Sequence, residues 1–68
     1  MNLLSLIIPV FHEEESIRKN LQEIEKKVRI KKKEVLIIYD REDDPTVATV
    51  HRCKDQFSFP VTLLKNSY

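Results

Sequence analysis

The chain predicts an open α/β sheet, with strand, helix, strand, helix and strand in order as half of a Rossmann-like fold. Three observations carry that expectation. Apolar runs at Leu3–Val10, Val35–Tyr39 and Val61–Leu64 are nearly continuous rather than alternating, as in parallel strands covered on both faces. Ile17, Leu21, Ile24 and Val28 form a helical apolar stripe between the first two runs. Asp44-Pro45, a capping residue followed by a first-turn proline, opens a second helix before the third run.

The first run contains Pro9, which would break a helix, so it reads as a strand. The first helix is expected from about Glu14 to Val28. Glu13, Glu14 and Glu15 gather at its start and Lys26, Lys27 and Arg29 at its end, each where the helix dipole favours that charge. The second strand ends at Asp40. Val47, Val50, Cys53 and Phe57 make the stripe of the second helix, although its β-branched residues have poor helix propensity. Pro60 opens the last strand. Right-handed crossovers would lay the strands parallel, and ligands of such sheets sit beyond the carboxyl ends. Those ends are Pro9–Glu13, Asp40–Asp44 and Lys65–Tyr68.

Composition narrows the function. With 68 residues, the whole chain 1–68 is read as one partial domain with a thin core. The absence of glycine excludes the Walker A loop and the dinucleotide fingerprint, which need close backbone approach to phosphate. Basic and acidic residues number 12 and 11, leaving a net charge of +1 and no basic excess for nucleic acid. The single Cys53 excludes an internal disulfide framework and fits a reducing compartment. The apolar opening is shorter than the ~20 residues of a membrane span and lacks the marks of a signal peptide.

The first strand-end loop, PVFHEEES, brings together an aromatic ring, a histidine and three carboxylates. Glu13 is closest to the strand end and best placed to face a ligand. The plainer reading makes all three glutamates solvated first-turn residues. His12-Glu13 does not begin a zinc-protease motif, because Ser16 stands at the second histidine position. His12 and His51 are too far apart in sequence to argue for a metal.

The second loop reads YDREDDPT. Asp40 ends a buried strand and could accept hydrogen bonds from a base N–H or ribose hydroxyls. Equally, strands often end in Asp because it favours turns. Asp44 is most simply a helix cap, and Glu42 and Asp43 solvated. The run Arg29–Lys33 reads as a solvated turn at the opposite sheet edge, with an acidic lipid surface as its functional alternative. Cys53 reads as a small buried hydrophobe.

Taken together, LLSLIIPVFHEEESI, EVLIIYD and VTLLKNSY resemble the opening of a family 2 glycosyltransferase of the GT-A fold, closest to the dolichol-phosphate mannosyltransferase-like branch. The resemblance implies that Pro9, Phe11 and Glu13 hold the nucleotide base and ribose, and that Asp40 contacts base or ribose. His12 replaces the family's usual Asn, Arg41 replaces a frequent second Asp, and the Gly-Ser after that pair is missing. The family's DxD motif, which holds Mg2+ or Mn2+ against the sugar-nucleotide diphosphate, has no counterpart, and neither has its general base. The chain therefore reads as an N-terminal fragment with no metal of its own and no transferase activity alone. Its expected ligand is a UDP- or GDP-linked sugar, held at best at millimolar strength, in the cytoplasm or on the cytoplasmic face of a membrane, with membrane association of the parent enzyme left open.

Two alternatives stand beside that reading. A non-catalytic α/β module could self-associate through the Leu3–Val10 edge, left unpaired where the family's fourth strand would lie. A receiver-like fragment would need an Asp after the third strand, where this chain has Lys65.

Overall fold

The computed structural model describes residues 3–66. It contains strand β1 (Leu4–Pro9), helix α1 (Ile17–Lys27), strand β2 (Lys33–Tyr39), helix α2 (Pro45–Cys53), a 3-10 turn (Lys54–Gln56) and strand β3 (Val61–Lys65). The strands form one parallel sheet in the order β1-β2-β3, as the α/β reading expects. Leu6 lies opposite Val35 and Val35 opposite Val61, so β2 is central and β1 and β3 are edges.

The core lies between the sheet and both helices. Val35 and Ile37 from β2 are fully buried against Ile17 and Leu21 of α1 and Val50 of α2, with Val10, Cys53, Phe59 and Val61 around them. Burying each large side chain contributes about 1.5–3 kcal/mol. Ile37→Ala would remove the centre of this cluster at a cost of about 2–5 kcal/mol.

The expectation of two covered faces is corrected. Both helices pack on one face, because successive crossovers step in the same direction from β1 to β2 to β3. Along β1 burial alternates residue by residue, and Ile7 on the other face is 65% exposed. Leu36, Ile38 and Leu64 share that face, which nothing covers among the described residues. The shortest dimension, 16 Å, is that of two layers.

Helix α1 begins at Ile17, not near Glu14, so the three glutamates precede its first turn. The carbonyl of Glu13 accepts from the N–H groups of Ser16 (3.1 Å) and Ile17 (2.8 Å). Upstream, the backbone of His12 and Glu13 is tied to the start of α2, which keeps this stretch out of helical geometry. The helix ends at Lys27, whose ammonium lies 2.8 Å from Glu23 one turn back. That hydrogen-bonded charge holds the Glu23 carboxyl below its usual range.

Helix α2 starts at Pro45 as expected, capped by Asp44. Phe57, expected on its stripe, falls beyond its end and stacks on Phe59 with centroids 5.5 Å apart. Cys53 is buried, and loss of solvent pushes its thiol pKa up, so it packs as a small apolar residue. Lys33 is not a solvated member of the basic run. Its stem is buried as the first residue of β2, and its ammonium lies 5.3 Å from the Phe59 ring and 3.3 Å from the Ile30 carbonyl. No helix among the described residues is long and apolar enough to cross a membrane.

Candidate functional site

Parallel strands bring the three loops to one edge of the sheet, beyond Pro9, Tyr39 and Lys65. The second loop is built first, because it closes on itself. Asp44 N–H donates to the Arg41 carbonyl (3.1 Å), which makes the turn. The Arg41 guanidinium meets Asp43 through two contacts, Nε to Oδ1 at 3.1 Å and Nη2 to Oδ2 at 3.3 Å. That pairing lowers the Asp43 pKa and raises that of Arg41, while both remain exposed to solvent.

Asp44 then links the two loops. Its Oδ1 accepts from Thr46 N–H (2.9 Å), the capping bond of α2, and its Oδ2 accepts from His12 N–H (3.0 Å). Thr46 is fully buried, and its Oγ1 accepts from Glu13 N–H (2.7 Å). Burial pushes the Asp44 pKa up, but the hydrogen bonds donated by the His12 backbone and by Thr46 outweigh it and hold the carboxyl below its usual value. Held this way, His12 adopts φ 50°, a left-handed conformation tolerated best by Gly, Asn, Asp and His. An Asn would satisfy the same backbone requirement.

The consequence is a displayed ring. Phe11 is 65% exposed and meets the His12 imidazole edge to face, with centroids 4.4 Å apart. Phe11, His12, Arg41, Asp43 and Asp44 line a cleft of about 220 Å³. Ligand pockets usually run to roughly 300–1,000 Å³, so this cleft by itself is smaller than a whole nucleotide-sugar site.

Of the four expected site residues, only Phe11 lines the cleft. Pro9 ends β1, exposed on the uncovered face. Glu13 turns its carboxylate back to accept from the Ser16 hydroxyl (3.1 Å). Asp40 accepts from the Asn66 side-chain amide (3.2 Å), while Asn66 N–H donates to the Tyr39 carbonyl (2.7 Å), so the second and third loops are joined there. Ser67 and Tyr68, which complete the expected third loop, lie outside the described residues.

Arg41, Asp43, Asp44 and His12 lie in the loops expected to face a ligand, but none of them was expected as a binding residue. Asp44 was legible only as a cap, and its second bond to His12 spans 32 positions with no local signal. The acidic pair Asp43-Asp44 does not supply the metal motif that the resemblance implies. Asp43 is engaged by Arg41, and no D-x-D triplet occurs in the sequence. Compared with protein-family models, curated proteins and solved structures, the chain matches none of them.

Proposed function

We propose that the chain is the nucleoside-binding N-terminal portion of a nucleotide-sugar-dependent glycosyltransferase domain. The observation that carries this reading is the exposed Phe11 ring beside the Arg41–Asp43 pair, at the carboxyl edge of a parallel sheet. An aromatic face there stacks on a base. Glu13 and Asp40, at the ends of β1 and β2, supply acceptors for base N–H or ribose hydroxyls once they release Ser16 and Asn66. Arg41 supplies the cationic group facing a phosphate once it releases Asp43. No residue is assigned to the transfer step, and the donor's diphosphate needs a metal site beyond these residues. A UDP- or GDP-linked donor goes with a place in the cytoplasm or on the cytoplasmic face of a membrane.

Calorimetric titration with UDP and GDP tests this. Millimolar affinity is expected, about −4 kcal/mol. Phe11→Ala should abolish measurable binding; equal binding by that variant would sink the reading.

One observation favours a second reading, a module that associates with its own copies. β1 is an edge strand, and its Ile7 side chain is 65% exposed on the uncovered face. Light scattering should then show concentration-dependent dimers that Ile7→Lys disperses. A monomer at high concentration contradicts it.

A further inference from the structure

A second cluster adjoins the cleft, and it is of a different chemical kind. One ligating atom each from His12, Glu14 and Asp44 lies within 4.8 Å of the others. We propose that these three side chains bind a first-row divalent transition-metal ion, with Zn2+ as the representative. The proposal stands independently of nucleotide binding.

Charge is the first argument. Asp44 is only 5% exposed, yet no ion pair reaches it, Glu14 or His12 among the described residues. Arg41, the cation of the second loop, is paired with Asp43 instead. Two carboxylates so close, one of them buried, repel each other without a cation between them.

An unsatisfied atom is the second argument. Glu14 Oε1 is shut off from solvent and has no hydrogen-bond partner among the described residues. A buried carboxylate oxygen without a donor is costly, and a metal ion satisfies it directly. Each Asp44 oxygen accepts one N–H bond, to His12 and to Thr46, which leaves each with a lone pair. The His12 ring donates no hydrogen bond among the described residues, so an imidazole nitrogen is available.

Ligand type selects the ion. One imidazole with two carboxylates suits zinc, cobalt or manganese, whereas Mg2+ prefers oxygen ligands and retains its waters. Bonds of about 2.0–2.2 Å to Zn2+ place ligand atoms closer together than the observed spread. The exposed His12 ring can supply that closure by turning inward, while the 3.0 Å bond from its backbone to Asp44 keeps the two residues together.

Zn2+ titrated calorimetrically into the full 68-residue chain, without nucleotide, tests the site. One ion per chain is expected, with a rise in melting temperature, because the ion joins the first loop to the start of α2. His12→Asn retains the left-handed backbone preference and should raise the dissociation constant at least about tenfold, as should Glu14→Gln. His51→Ala should bind like the unaltered chain. Binding unchanged in His12→Asn and Glu14→Gln, binding lost in His51→Ala, displacement of Zn2+ by equimolar Mg2+, or no binding at all would each overturn the assignment.

Discussion

The two strand-to-helix loops have the same task and solve it differently. The loop after β2 caps its own helix, with Asp44 accepting from Thr46 N–H and Pro45 already in a helical φ range. The loop after β1 has Ser16 at the cap position, yet its side chain makes no capping bond and turns to Glu13 instead. It is shaped from outside, by Asp44 and Thr46, which hold the backbone N–H groups of His12 and Glu13. The self-sufficient loop is therefore the scaffold, and the dependent one carries the displayed Phe11. A ring whose position is set by another segment can be moved or lost without unfolding the core.

The comparison breaks most severely at Asp44. Asp44→Ala removes a helix cap and leaves His12 N–H without its acceptor, and should cost about 2–3 kcal/mol in urea denaturation. Because the folded pKa of Asp44 lies below its unfolded value, the unfolded chain binds this proton more readily. The carboxylate's stabilisation is thus complete above the unfolded pKa, near 4, and is lost as pH falls through the lower folded value. Asp44→Ala should lose that component of the acid sensitivity. Unchanged stability and an unchanged acid limb would refute the scaffold role.

Thr46→Val keeps the shape of a fully buried side chain and removes only the acceptor for Glu13 N–H. A loss of about 1–2 kcal/mol is expected, together with faster amide exchange at Glu13. His12→Gly should move stability the other way, by about 0.5–1 kcal/mol, because glycine adopts φ 50° without strain. Destabilisation by this change would mean that the His12 side chain holds the loop. Ser16→Ala should shift stability by less than about 0.5 kcal/mol, since no capping bond is lost.

The contrast also explains what could be read from the residues alone. Ile17, Leu21, Val35, Ile37 and Val50 were legible because periodicity reports the buried side of an element, and all five are fully buried. Asp44-Pro45 was legible because capping is local. The start of α1 was misplaced by three residues because its carboxylates suit a helix dipole, while the bonds that delay the helix come from Thr46 and Asp44, distant in sequence. Apolar continuity in β1 signalled two covered faces, although periodicity marks apolar faces whether or not anything packs on them. In the site, the place of Phe11 in the loop after β1 was legible and its binding role came only from the resemblance, while the Arg41–Asp43 pair and the place of His12 depend on side-chain geometry that spacing does not encode.

Whether the carboxyl edge binds a nucleoside is tested most directly by mapping backbone amide shifts during titration with UDP and with GDP. Shifts should concentrate at Phe11, His12, Glu13, Asp40, Arg41 and Asp43, with Lys31 and Lys32 at the far edge of the sheet unmoved. Shifts scattered away from Phe11, Glu13 and Asp40, or none at millimolar nucleotide, would contradict the account.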